Sequence, residues 1–222
     1  MIHLLCNLNP YNASKYIRIW GVYLQSWKYF EDYKSDIRKL LECSPILKEK
    51  AKIEAPNMWK NDSSSHKLCV HIRRGDFRQY RTFLETRADF LVPAIKYINN
   101  QIKAKTKKNT SLLIFGDDYN FIRSLKFPDM FTSINTFATI KNSSRGFEMC
   151  FAIEYCDTFL ISASSSSFGW WIGYLLKSKG TVYYNAEIAK MKTFTKYMYA
   201  ADAFPPHWKK LNVSKNGDVK EV

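Results

Sequence analysis

The chain has 222 residues, of which 46% are hydrophobic and 16% aromatic. That composition supports a packed core and excludes an intrinsically disordered tail. The formal net charge of +14 predicts an anionic ligand or surface. However, the basic residues are scattered and form no zinc-finger, basic-heptad or RRM-type motif, so we expect no nucleic acid partner.

The cysteines and the glycosylation sequons bear on the compartment. The five cysteines form no C-x-x-C pair, which argues against a structural zinc site. Cys69 lies in an apolar run, where a buried free thiol is the ordinary expectation. N-linked sequons, a pattern that favours the secretory lumen, begin at Asn12, Asn61, Asn109, Asn142 and Asn212. The opening sequence MIHLLCNLNP is too short for a signal peptide, and no apolar run approaches about 18 residues.

The N-terminal part of the chain is predicted to be mostly helical. Apolar residues recur at helical intervals between Ile17 and Leu41 and stop near Cys43. The polar segment WKNDSSSHK (59–67) follows and marks a boundary. We therefore divide the chain into a mostly helical region, 1–60, and a second region, 61–222.

Strands and helices alternate in the second region. The predicted strands are LCVHI, SLLIF, TFLISA and TVYY, at 68–72, 111–115, 158–163 and 181–184. The predicted helices lie at 89–103, 119–127, 146–156 and 167–180. This alternation predicts parallel strands joined by crossovers, hence a doubly wound α/β domain, whose ligands bind at the carboxyl ends of the strands.

Three of the predicted strands end in polar segments that suit a phosphate-bearing ligand. The segments are RRGD (73–76), GDD (116–118) and the serine run at 164–167. Guanidinium groups bind phosphate oxygens bidentately, and a helix N-terminus offers free N–H groups to an anion. An aspartate after the arginines can brace one of them. We expect all three segments to face one crevice.

Each segment also has a simpler interpretation. The arginines could belong to an exposed RGD tripeptide of the integrin-binding type, although the buried strand before it disfavours this. Ser167 or a neighbour could merely cap a helix. Asp117 and Asp118 could bridge a divalent metal or accept hydrogen bonds from ribose or guanine. Alternatively, Asp118 could cap the short helix that follows.

Four segments, in order along the chain, resemble motifs of glycosyltransferase family 11, the α-1,2-fucosyltransferases. VHIRRGDF (70–77) resembles the family's H-x-R-R-G-D motif, and SSSSFGWWIGYL (164–175) resembles N-S-S-F-S-W-W-x-A-x-L. VYLQSWKYF (22–30) is similar to G-Y-x-Q-S-x-x-Y-F, and IFGDD (114–118) is similar to F-S-D-D. Ser165 stands where the family has an asparagine.

The resemblance implies a GT-B fold with two Rossmann-like domains. Region 61–222 would be the GDP-fucose-binding domain, and region 1–60 would be a remnant of the acceptor-side domain. Fucose would pass from GDP-fucose, with inversion, to a galactose hydroxyl of a galactose-terminated glycan, with no metal or other cofactor. The implied location is the Golgi lumen or membrane, with an N-terminal membrane anchor that we expect to be missing from this chain.

Roles for individual residues follow from the resemblance. Arg73 would be the catalytic residue, binding the β-phosphate and supporting the departing GDP. His71, Arg74 and Asp76 would shape the donor pocket, and Asp117 would belong to the same donor-binding set.

The serine run and the helix before the third strand complete this implied site. Ser166, Ser167 and Phe168 match the family's S-S-F and would lie against the pyrophosphate. Glu148 would stand for the family's acidic residue in the preceding helix. The alternative function is a catalytically inactive relative that still binds a guanine nucleotide or a glycan.

Overall fold

The computed structural model describes residues 26–137, 143–177, 179–191 and 199–222. The strands in these ranges are β1 (His66–Ile72), β2 (Thr110–Gly116), β3 (Ser133–Asn135), β4 (Thr158–Ile161), β5 (Thr181–Asn185), β6 (Lys209–Val213) and β7 (Val219–Glu221). The α-helices are α1 (Lys34–Leu40), α2 (Pro45–Met58), α3 (Ala88–Thr106), α4 (Tyr119–Ser124), α5 (Arg145–Tyr155), α6 (Ser167–Leu175) and α7 (Ala200–Ala203).

The described strands form one mostly parallel sheet in the order β3-β2-β1-β4-β5-β6-β7. Strands β1 to β6 run parallel to their neighbours, and β7 pairs antiparallel with β6. Helix α3 covers one face, where it packs against Leu68, Val70 and Ile72 of β1. Helices α2, α5 and α6 cover the other face, against Cys69 and Phe159. The predicted doubly wound α/β architecture is therefore confirmed.

All four predicted strands are present, and three further strands were not predicted. Strand β3 has only three residues, too few to show a pattern. Strands β6 (KKLNV) and β7 (VKE) are rich in lysine, and Leu211 is the only fully buried residue in either. Strand β7 is at the edge of the sheet and β6 lies beside it; neither carries an apolar run, so the sequence gives little sign of them.

Helix α6 ends at Leu175, five residues before the end of the predicted helix 167–180. The guanidinium of Arg38 on α1 donates to the backbone carbonyls of Tyr174, Leu175 and Leu176, at 2.9 to 3.1 Å. These are carbonyls that the end of a helix leaves without intrahelical partners. A distant arginine thus caps the helix and allows the chain to turn away at Leu176.

The N-terminal helical region is described only from residue 26. Two 3-10 turns, Trp27–Tyr29 and Glu31–Tyr33, lead into α1, and the predicted helical residues before them lie outside the described ranges. Helix α2 packs against α5 and places Ala51, Ala55 and Met58 in the same core as the sheet. The division into regions 1–60 and 61–222 stays a prediction. No helix in the described ranges is long and apolar enough to span a membrane.

The expectation that Cys69 is a free thiol is wrong. Cys69 in β1 forms a disulfide with Cys156, which directly precedes β4. Strand β4 is the neighbour of β1 in the sheet, so the two cysteines meet although 87 residues separate them in sequence. A second disulfide joins Cys43, just before α2, to Cys150 in α5. Both cross-links therefore end on α5 or at its C-terminus.

Candidate functional site

The candidate site lies where the order of the strands reverses. The chain leaves β1 for β2 and β3 on one side, then returns to β4 on the other side of β1. Doubly wound sheets form a ligand crevice at the carboxyl ends of the strands at such a switch point. Helices α4, α5 and α6 begin at this edge, because each follows the carboxyl end of a parallel strand.

A relay of hydrogen bonds ties the end of β1 to the end of β4. The amide N–H of Arg73 donates to Oγ1 of Thr86 at 3.0 Å, and this oxygen lies 2.7 Å from Oγ of Ser162. Ser162 donates to the carbonyl oxygen of His71, so the hydroxyl proton between Thr86 and Ser162 comes from Thr86. Thr86 and Ser162 are fully buried. The relay fixes the point at which Arg73 leaves the strand.

Two carboxylates hold the side chain of Arg73. Its Nη1 donates to Oδ2 of Asp117 at 2.7 Å, and its Nη2 donates to Oδ1 of Asp76. The side chain of Asp117 is 9% exposed, whereas that of Asp76 is 47% exposed. The guanidinium also lies over the ring of Phe77, at 5.0 Å. The predicted bracing of one arginine by Asp76 is therefore present, and that arginine is Arg73.

Arg74 has separate partners. Its Nε donates to Asp118 at 3.0 Å, and its Nη1 donates to the carbonyl oxygen of Thr86 at 2.6 Å. Its guanidinium lies 3.9 Å from the ring centre of Phe121. Asp118 also accepts from the amide of Phe121, which confirms that it caps α4. Both charges of the RGD tripeptide are held in ion pairs within the protein, which disfavours its use as an exposed recognition loop.

Asp117 orients both arginines. Its Oδ1 accepts from the amide of Arg74 at 2.8 Å while its Oδ2 accepts from the side chain of Arg73. Gly116 makes this approach possible, because it has φ +153° and a Cβ there would lie 2.0 Å from the carbonyl oxygen of Ile72. A side chain at this position would push β2 away from the end of β1, and Asp117 with it.

His71 is a fully buried, neutral side chain beneath the site. Burial lowers its pKa to about 3, the charges of Arg145 and Arg73 add to that effect, and Asp117 opposes it. Neither ring nitrogen has a hydrogen-bond partner among the described residues. The ring of Phe168, 5.1 Å away between centroids, covers it. His71 therefore contributes no positive charge at neutral pH.

Most hydroxyls of the serine run bond to the protein itself. Ser166 caps α6, since its Oγ accepts from the amide of Gly169 at 3.3 Å, so the capping interpretation is confirmed at that residue. Ser164 and Ser165 donate to backbone carbonyls at the end of β5 and in the segment after it. Ser167, the first residue of the helix, is exposed. Pyrophosphate binding by this run stays a prediction.

The structure adds Thr86 and Arg145, which the sequence did not indicate, and places Glu148, which the family resemblance did. Thr86 lies in the loop before α3, and only its hydrogen bonds with Arg73 and Ser162 show that it belongs to the site. Arg145, the first residue of α5, places its guanidinium 5.5 Å from the ring centre of Phe168. Glu148, one turn further along α5, accepts from Tyr119, and burial raises its pKa.

The match to a family model accords with these motifs. The model described as glycosyl transferase family 11 matches residues 11–212, most of the chain. This chain belongs to glycosyl transferase family 11.

Two curated relatives are similar in sequence to this chain over most of its length. Both are Caenorhabditis elegans proteins named galactoside 2-alpha-L-fucosyltransferase. One is 36% identical over 209 residues, covering 93% of this chain and 56% of the relative. The other is 28% identical over 230 residues, covering 90% of this chain and 54% of the relative. The chain thus spans about half the length of these curated relatives. No solved structure matches it.

Proposed function

We propose that this chain carries the donor-binding part of a fucosyltransferase that moves L-fucose from GDP-fucose to a galactose hydroxyl of a glycan, forming an α-1,2 linkage with inversion. The observation that carries the proposal is the pair of guanidinium groups of Arg73 and Arg74, held by Asp117 and Asp118 respectively at the switch point of the sheet. Membership of family 11 and the names of the two relatives support it.

The reaction breaks the bond between C1 of fucose and the β-phosphate oxygen of GDP-fucose. The acceptor hydroxyl oxygen forms the new bond to C1 from the opposite face, and its proton is released to solvent water. GDP departs with the bonding electron pair, so negative charge grows on the phosphate during the step. A guanidinium aligned before the reaction stabilises that developing charge more than it stabilises the bound donor.

Arg73 is the proposed catalytic residue, because its fork is aligned by two carboxylates and lies at the end of β1. Arg74 and Asp117 are proposed to shape the donor pocket, and Asp76 and His71 to border it. In the first turn of α6, Ser166, Ser167 and Phe168 are proposed to face the pyrophosphate.

The remaining features of the proposal concern the whole protein. A GT-B arrangement of two Rossmann-like domains is proposed, with this sheet as the donor side. The donor is bound without a metal, and both Asp117 and Asp118 are engaged by arginines. Two disulfides are typical of proteins that fold in an oxidising compartment, which supports a secretory location such as the Golgi lumen.

Thermal-shift titration tests donor binding. A ligand that binds only the folded state raises the free energy of unfolding by RT ln(1 + [L]/Kd), which is about 2.7 kcal/mol at a hundredfold excess over Kd. GDP and GDP-fucose should raise the melting temperature well beyond UDP or ATP without added magnesium. Equal shifts for all four nucleotides would indicate unspecific charge attraction and overturn the donor assignment.

A transfer assay with labelled GDP-fucose and a galactoside tests the chemistry. Labelled product on the galactoside, with the label released by an α-1,2-specific fucosidase, supports the proposal. Selective GDP binding without product would identify the alternative, an inactive family member that keeps its nucleotide site.

A further inference from the structure

The charges of the two signature arginines are already compensated within the protein. Arg73 pairs with Asp117 and Asp76, and Arg74 pairs with Asp118. Two positive charges thus face three negative charges, which leaves this cluster with a net charge of −1. A nucleoside diphosphate brings two to three further negative charges. The cluster alone is therefore a poor electrostatic match for such a ligand.

Arg145 is a cation beside this cluster that forms no ion pair, although its charge acts on the carboxyl of Glu148 one turn further along α5. All 20 Asp and Glu residues lie in the described ranges, and none is within ion-pair distance of its guanidinium. Its first-turn position on α5 puts it at the carboxyl edge of the sheet. Its positive charge contributes to the low pKa of His71, after burial, and so reaches the centre of the site.

Arg145 also lies beside the first turn of α6. Its guanidinium is 5.5 Å from the ring centre of Phe168, the second residue of that helix. In the same turn the amide of Gly169 bonds to Ser166 and that of Trp170 bonds to the Ser166 carbonyl. The amides of the first two helical residues are left without intrahelical acceptors, as at any helix N-terminus.

A buried, unpartnered side chain faces this turn as well. His71 is fully buried, and neither of its ring nitrogens has a partner among the described residues. A Cβ at Gly169 would lie 3.2 Å from its Nδ1, so the imidazole abuts the first turn of α6. An unused imidazole, free helix amides and an unpaired guanidinium therefore converge around Phe168.

We propose that Arg145 is a phosphate-binding residue of the donor site and supplies the positive charge that the paired arginines lack. This inference rests on the proposed function, since it takes the phosphates of a nucleoside diphosphate as the ligand. Arg145 faces the diphosphate from the α6 side of the crevice, and Arg73 faces it from β1. The aromatic ring of Phe168 holds the Arg145 guanidinium by a cation–π contact in the absence of ligand.

Calorimetric titration of the folded chain with GDP, GMP and guanosine tests the inference. The variants are Arg145→Gln, which removes the charge, and Arg145→Lys, which keeps it. Lys108→Gln is the matched control, because it removes one exposed positive charge beside the start of β2, at the opposite edge of the sheet. Thermal melts establish that every variant is folded at the titration temperature.

We expect Arg145→Gln to weaken GDP binding by about tenfold, to weaken GMP less, and to leave guanosine unchanged. Arg145→Lys should retain part of the affinity, and Lys108→Gln should match the parent. The salt dependence of GDP binding should also become shallower in Arg145→Gln, because one fewer ionic contact is made.

The contrary outcomes are distinct. Unchanged GDP affinity in Arg145→Gln overturns the inference, as does an equal loss for GDP and guanosine, which would mean a structural role. An equal loss in Lys108→Gln would mean unspecific attraction and overturn it too. If the parent chain does not prefer GDP to UDP, the proposed function itself fails, and the Arg145 comparison is not needed to show it.

Discussion

Replacing Thr86 by valine tests whether the buried relay holds the site together. Valine has the shape of threonine but lacks the hydroxyl, so the amide of Arg73 loses its acceptor and Ser162 loses its donor. A buried unsatisfied group costs about 1–3 kcal/mol, and a net hydrogen bond contributes about 0.5–1.5 kcal/mol. After the gain from burying a methyl group, we expect a loss of about 2–3 kcal/mol in the free energy of unfolding.

Thr110 provides a matched control for the same substitution. Thr110 is also fully buried, but its Oγ1 has no hydrogen-bond partner among the described residues. Thr110→Val removes an unsatisfied oxygen, so we expect it to be neutral or to stabilise by up to about 1 kcal/mol. The two variants therefore differ in sign although residue type and burial are the same.

Urea denaturation of the parent and both variants measures the difference in the free energy of unfolding, and thermal denaturation measures the difference in melting temperature. For a domain of this size, 1 kcal/mol corresponds to about 2–4 °C in melting temperature, so Thr86→Val should melt about 4–12 °C below the parent. Equal effects of the two substitutions, or a loss below about 0.5 kcal/mol for Thr86→Val, would refute the idea that the relay stabilises the end of β1.

Three further predictions concern the site and its supports. Arg73→Lys keeps the charge but loses the fork that bridges two carboxylates. Transfer should therefore fall at least roughly 100-fold in the labelled-fucose assay, with a smaller fall in GDP affinity. Arg74→Lys should reduce transfer less, and parental activity in Arg73→Lys would contradict the mechanism. Ser166→Ala removes the cap of α6 and should lower the free energy of unfolding by about 1 kcal/mol, measured in urea; an unchanged midpoint would show that the cap contributes nothing. The folded pKa of His71 is about 3, below the unfolded value of about 6.5, so the unfolded state binds more protons and stability should fall as pH drops below about 6.5, by up to about 1.4 kcal/mol per pH unit. His71→Gln should flatten part of that slope between pH 6.5 and 5, and an unchanged slope would place the titration elsewhere.

The features that local sequence determines were predicted well. Buried parallel strands need continuous apolar runs, and the four central strands show them. Asp118 and the serine run precede helices, where capping chemistry restricts the residue type, and Asp118 and Ser166 do cap. The doubly wound topology followed from alternation alone.

The features that depend on long-range contacts were missed. Thr86 meets Ser162 across 76 residues, and Cys69 meets Cys156 across 87. Neither pairing is visible until β1 and β4 are known to be neighbours, because a loop threonine or a strand cysteine has many possible partners. Arg145 was one of 34 basic residues, and only its place in the fold, beside Phe168 and the buried His71, distinguishes it.

Under the proposed function, exposure decides which carboxylate on Arg73 a phosphate group can replace. Asp117 is 9% exposed and also accepts from the amide of Arg74, so its removal would leave a poorly solvated N–H without an acceptor and Arg73 held only by the exposed Asp76. Asp76 is 47% exposed, and ion pairs at such exposure contribute about 0–1 kcal/mol. A phosphate oxygen on Nη2 in place of Asp76 therefore sacrifices little stability and gains a charge-assisted hydrogen bond. Asp117 keeps the guanidinium aligned during that exchange, so the catalytic arginine needs no reorientation when the donor binds.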